Sequence, residues 1–179
     1  MQTYISMLRG INVSGSKKIK MVELKALYEK LKFKEVETFI QSGNVIFKSN
    51  RSESAIIKTI YDGLQAEWDY DVTIVLKTPT ALQKVISNNP FQKNRHEDPK
   101  KLHVTFLAKL PDKKLCADLI GFDSNNEEFI IQNKEIYVFC PDGYGSTKLH
   151  NNFFERKLKV GATTRNWNSL NRMYHKSIS

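Results

Sequence analysis

Cysteine is almost absent from this chain: two residues, Cys116 and Cys140, in 179. Both stand among apolar neighbours, and their spacing makes neither a disulfide framework nor a metal site, so they read as buried free thiols in a reducing compartment. No apolar run approaches the length that spans a membrane. The opening MQTYISMLRG lacks a basic segment followed by an apolar one. It therefore reads as no signal peptide, and the expected location is cytoplasmic. The four histidines, His96, His103, His150 and His175, show no ligand spacing, so no metal is expected. No cofactor motif is found. No serine or cysteine sits in a nucleophile context, which leaves enzymatic activity open.

Acidic residues are also in deficit, 19 against 28 lysines and arginines, for a net charge of +9. That balance permits binding of anions or nucleic acid. The excess is mostly lysine in an asparagine-rich chain, a bias that a low-GC genome produces without function. Acids are interspersed along most of the length, so nucleic acid is not favoured on charge alone. At 40% hydrophobic and 26% charged residues, the chain has the composition of a globular protein with a real core.

Residues Thr3 to Leu8 alternate as a strand, and Met21 to Leu31 place Leu24, Leu27, Tyr28 and Leu31 at helical spacing. Glu35 to Ser49, EVETFIQSGNVIFKS, reads as a hairpin turning on Ser42-Gly43. A two-residue turn would pair Gln41 with Asn44 and Glu37 with Lys48. Ser52 caps a second expected helix running to Trp68, which Gly63 weakens. Asp71 to Lys77 is the next strand. The order is βαββαβ, a ferredoxin-like half. Thr78 and Pro79 then open a short helix.

Residues 89–101 are polar, carry two prolines and read as a linker between domains at 1–88 and 102–179. The second half repeats the first. Leu102 to Ala108 is a strand, Asp112 to Ile120 a helix, and Glu127 to Cys140 a hairpin turning at Asn133-Lys134. Gly145 to Leu158 is expected as a helix. No final strand is evident, with KVGA the one candidate. Thr163 or Thr164 is expected to cap a C-terminal helix bearing Trp167, Leu170 and Tyr174. The fold class is therefore α+β: two ferredoxin-like βαββαβ-type halves with antiparallel sheets, plus a C-terminal helix.

LRGINV, QSGNVIF and TTRNWN together resemble the bacterial domain-of-unknown-function family number sixteen-ninety-seven. The resemblance runs from Leu8 to about Met173. It implies a two-part ferredoxin-like α+β fold and a cytosolic protein, and it implies no activity.

In a βαββαβ unit the strand order is 4-1-3-2, so the end of strand one and the tip of the first hairpin share an edge. That brings RGINVSGSKK beside QSGN. Arg9, Asn12, Lys17 and Lys18 would then face Gln41 and Asn44 across a donor-rich edge, beside the free N–H groups of a helix starting near Met21. No acid lies between Arg9 and Lys20. Such an edge suits a phosphate, a carboxylate or a nucleic-acid backbone, and the leading expectation is an anionic, phosphorylated small ligand. Gly10-x-x-x-x-Gly15 resembles a phosphate-binding P-loop, but Ser16-Lys17 reverses the order that motif needs and the sheet is not parallel, so nucleotide hydrolysis is rejected. The bland alternative is that the glycines make turns and Asn12 bonds its own backbone. Arg165 and Asn166 either lock the C-terminal helix or complete a second segment of a site. Nucleic-acid binding on the sheet face that carries Phe39 and Ile46 is the runner-up, and a purely structural protein is the third reading.

Overall fold

The computed structural model describes residues 1–13, 15–122 and 124–179. The chain forms two compact units, one of residues 1–82 with 173–179, the other of residues 83–172. No helix among the described residues is long and apolar enough to cross a membrane.

In the first unit, strands β1 (Gln2–Leu8), β2 (Lys34–Phe39), β3 (Asn44–Ser49) and β4 (Ile74–Lys77) form an antiparallel sheet in the order β2-β3-β1-β4. Helices α1 (Met21–Lys30) and α2 (Glu53–Trp68) lie between strands in the chain. Strand alternation sends Tyr4 and Leu8 of β1, with Val45 and Phe47 of β3, into one core with Leu24, Leu27 and Tyr28 of α1 and Ile56, Ile60 and Leu64 of α2. Tyr28, Phe33 and Phe47 meet there with ring centroids 4.5 to 5.7 Å apart. The Tyr28 hydroxyl is fully enclosed and bonds Ser6 Oγ at 2.9 Å, and burial pushes its pKa well above the ordinary phenol value. Ser52 caps α2 through the Ala55 N–H, as its sequence suggested. Gly63 is a packing device rather than a weakness. A β-carbon there would stand 3.0 Å from a Leu31 methyl, so the glycine lets the segment after α1 approach α2.

The first hairpin departs from the expected register. Phe39, not Gln41, pairs with Asn44, and Ile40 to Gly43 form a longer loop. Ile40 and Gly43 both have positive φ, at 50° and 70°. Asn44 Nδ2 closes the loop by donating to Phe39 O at 3.2 Å and Ser42 Oγ at 2.9 Å. From Glu37 to Phe39 the slip is by two residues, so these side chains keep their faces, and the register shifts again between Lys34 and Glu37. Its partners change: Lys48 meets Glu35 at 2.6 Å, and Glu37 pairs with Lys176. The opposite face of this sheet is also buried, with Ile5 and Met7 at 0%, Ile46 at 7% and Phe39 at 9% exposure.

The second unit has the same topology. Strands β5 (Leu102–Leu107), β6 (Glu128–Gln132), β7 (Glu135–Phe139) and β8 (Ala162–Asn166) take the order β6-β7-β5-β8. The fourth strand, not evident in the sequence, is ATTRN. Thr163 and Thr164 belong to it, and Asn166 Oδ1 instead accepts the Ser169 N–H at 2.8 Å and caps α7 (Trp167–Ser177). β-branched threonines favour the pleat, and Thr164 meets Thr105 across the ladder at 2.7 Å. The buried stripe of α7 is Trp167, Leu170 and Met173, with Tyr174 half-buried. Helix α5 covers only Lys113–Ala117, capped by Asp112, and α6 only Asn151–Leu158, capped by His150. Helix α3 is Pro79–Ser87, with Thr78 Oγ1 accepting the Ala81 N–H at 3.1 Å. The stretch 89–101 is not without structure: Pro90–Arg95 forms helix α4, Asn89 caps it and Phe91 is buried.

Candidate functional site

The end of β1 is tied down on both sides. Leu8 N donates to Gly43 O at 2.9 Å and Arg9 N to Thr73 O at 3.0 Å. The chain then leaves the sheet through a loop with positive φ at Gly10, Asn12, Gly15 and Lys17. Asn12 organises it. Its Oδ1 accepts the Ile19 N–H at 2.9 Å, and its two amide hydrogens go to Ile19 O and Gln41 O, each at 2.9 Å. One side chain thus closes the loop on itself and fastens it to the hairpin tip. Ile11 and Ile19 drop from the loop into the core, at 1% and 2% exposure. Gly43 rests on Ile11 so closely that a β-carbon there would lie 2.9 Å from the Ile11 β-carbon.

The structure therefore brings RGINVSGSKK and QSGN together. Asn12 and Asn44 are both committed to holding the edge in shape, and Asn44 is buried at 1% exposure. Lys17 is half-buried, and its ammonium donates to the Asp71 carbonyl. Arg9 is half-buried, while Lys18 and the Gln41 side chain are exposed. Among the described residues, the N–H groups of Gly10 and Ile11 meet no acceptor. Helix α1 begins at Met21, and Lys20 before it makes no side-chain cap, leaving first-turn N–H groups without a side-chain partner there. The edge offers backbone donors and cations around a framework that is already hydrogen-bonded.

Arg165 and Asn166 do not join this edge. Arg165 lies on β8 at 7% exposure and donates to Thr163 Oγ1 at 2.8 Å and Thr164 O at 2.9 Å. Burial pushes its pKa down to about 10. Asn166 is the helix cap described above.

A second polar group escaped the sequence reading. On the helix-covered face of the second sheet, Thr105, Thr164 and Asn151 form a chain of hydrogen bonds at 2.7 and 2.6 Å. His103, 7% exposed, stacks on Tyr144 there with ring centroids 4.4 Å apart. Burial pushes the His103 pKa down to about 4. The signal was faint: a histidine two positions before a threonine in a strand, with the facing threonine in a segment that read as helix. Of the two thiols, Cys140 is buried as expected. Cys116 is only half-buried, and burial raises the pKa of both.

An antiparallel four-stranded sheet in the order 2-3-1-4, built twice in succession and followed by a helix, defines a tandem ferredoxin-like protein of α+β class. The chain belongs to the family described as "Protein of unknown function (DUF1697)", whose model matches residues 1–137. Among solved structures it is similar to the conserved bacterial protein SP0830 from Streptococcus pneumoniae, with a TM-score of 0.80 and 21% identity over 100% of this chain and 99% of that one. That likeness bears on the fold. A search of curated proteins finds no match.

Proposed function

We propose that this protein binds a small phosphorylated ligand at the edge formed by the β1–α1 loop and the first hairpin tip. The observation that carries the reading is the pre-built loop. Positive φ at Gly10 and Asn12 is the kind of backbone conformation from which anion-binding nests of N–H groups are built. The Asn12 bracket fixes that shape without a ligand, so little ordering is left for binding. Gly10 supplies a backbone donor, Lys18 and Arg9 supply charge, and Gln41 orients the remainder of the ligand. Lys17 contributes to the local potential while its ammonium holds Asp71 O. Asn12 and Asn44 act as framework.

The nucleic-acid reading loses its aromatic platform, because Phe39 and Ile46 are buried. What supports it is the net charge of +9 alone.

Thermal shift against phosphorylated metabolites and their dephosphorylated counterparts tests the proposal. Phosphorylated compounds should raise the melting temperature and their counterparts should not. Lys18→Ala should fold normally, since it is exposed, and should bind about tenfold more weakly, as loss of one charge-assisted bond of roughly 1.5 kcal/mol requires. A wild type that responds to no phosphorylated compound would remove the proposal.

A further inference from the structure

Ile40 has a backbone that its side chain disfavours. Its φ is 50°, in the left-handed region where a branched β-carbon crowds the following carbonyl. Asparagine or glycine takes such a turn with less strain. Ile40 is also outside the core of the first unit and 39% exposed. Strain held on an exposed residue of this kind is a mark of functional positions.

The place of Ile40 gives that function a direction. Asn12 Nδ2 donates to Gln41 O at 2.9 Å, so Ile40 is one residue from the hydrogen bond that fastens the hairpin tip to the β1–α1 loop. Val13, 54% exposed, is one residue from the same bond on the loop side. Val22, 79% exposed, is the second residue of α1, at the helix start that belongs to this edge. Loop, helix start and hairpin tip thus each show an aliphatic side chain to water, where scattered single ones would be ordinary.

The polar side chains of the same segments are engaged elsewhere. Asn12 uses its oxygen and both amide hydrogens within the bracket. Ser16 Oγ donates to Val13 O at 3.0 Å, and Ser42 Oγ accepts Asn44 Nδ2 at 2.9 Å. Glu23 meets Lys20 at 3.5 Å, and the Asp71 carboxylate takes the Tyr61 hydroxyl. A polyol would need such groups for its hydroxyls. With Arg9 and Lys18 assigned to the phosphate, Gln41 and the aliphatics are what the organic part of a ligand would meet.

We infer that the edge selects phosphate monoesters of apolar alcohols, with Ile40 and Val13 against the hydrocarbon part and Ile40 setting the preference. This rests on the reading of the edge as an anion site and names the class of ester that such a site takes.

Isothermal titration of the intact protein with inorganic phosphate, glycerol phosphate and butyl phosphate tests it. The two esters share their charge and nearly their size, and differ in hydroxyls against methylenes. Butyl phosphate should bind at least about tenfold more tightly than glycerol phosphate, and hexyl phosphate more tightly again, by up to about fourfold per added methylene. Ile40→Asn should leave the affinity for inorganic phosphate unchanged and bring butyl phosphate to within about twofold of glycerol phosphate. Val13→Ser, on the exposed loop, should reduce the same ratio in part. Equal affinity of the wild type for the two esters overturns the inference and leaves the anion site standing. An Ile40→Asn protein that keeps the wild-type preference overturns it too, whatever its stability. Failure of the wild type to bind any of the phosphate compounds removes the anion site, and the inference with it.

Discussion

Asn12 and Gly43 set the shape of the proposed anion edge, and both act through space that other residues need. Asn12 has positive φ, which asparagine tolerates, and its amide bridges two segments far apart in sequence. Gly43 combines positive φ with a tight site, where an added β-carbon would lie 2.9 Å from the Ile11 β-carbon and 3.1 Å from that of Leu8. Gly15 has similar φ, 78°, with open space around it. The two glycines separate strain from packing. Gly15→Ala should cost about 1 kcal/mol, from the backbone alone. Gly43→Ala should cost about 2–4 kcal/mol, because the methyl also displaces Ile11. Urea unfolding of the two variants reads the difference. Equal losses would mean that the hairpin tip does not bear on the loop as described.

At the scale of elements, legibility followed local signal. Helix α2 was readable because its cap, stripe and end are all local. The juxtaposition of loop and hairpin was readable because topology alone dictates it. The register of the first hairpin was not. Ser42-Gly43 suggests a two-residue turn, but Asn44 bonds back to Phe39 and Ile40 takes positive φ, so the loop widens. Strand β8 was hidden because TTRN carries helix-start chemistry as well as β-branched residues, and only pairing with β5 settles it. Of the expected site residues, Asn12 and Asn44 direct their amides to nearby loop groups, an arrangement that depends on which carbonyls lie near. The polar face between β5 and β8 carries its own prediction. His103 is held neutral by burial, with a folded pKa near 4 against an ordinary value near 6.5. The unfolded chain binds more protons between those values. The stability that the neutral ring contributes is therefore present above about pH 6.5 and lost as pH falls toward 4, by ~3 kcal/mol in all. Tyr144 stacks on the ring, and Thr105 and Thr164 neighbour it, so no acid on these residues offsets the cost. Denaturant titrations at several pH values, wild type against His103→Phe, should show this loss in the wild type only. A parallel pH dependence in the two proteins would contradict the assignment.

The whole molecule is one fold used twice with different consequences. Both units hook the first strand to the hairpin tip and to the segment before the fourth strand. The first elaborates the following loop into a cation-bearing bracket, and the second passes through the short segment from Ala108 to Asp112 into a helix of 5 residues. Length, composition and charge allowed a two-part basic protein and could not say which half would carry which surface. That distinction depends on where Ile11 and Ile19 go, and their burial follows from tertiary packing. The central claim is that the first unit's loop is a preformed anion site. The most direct measurement is a ¹H–¹⁵N titration of the intact protein with inorganic phosphate and with a phosphorylated sugar, at constant ionic strength. The account predicts saturable shifts centred on the amides of Gly10, Ile11 and Lys18, smaller ones at Gln41, and attenuation of all of them in Lys18→Ala. Shifts scattered over the surface lysines without saturation, or none at Gly10 and Ile11, would contradict it.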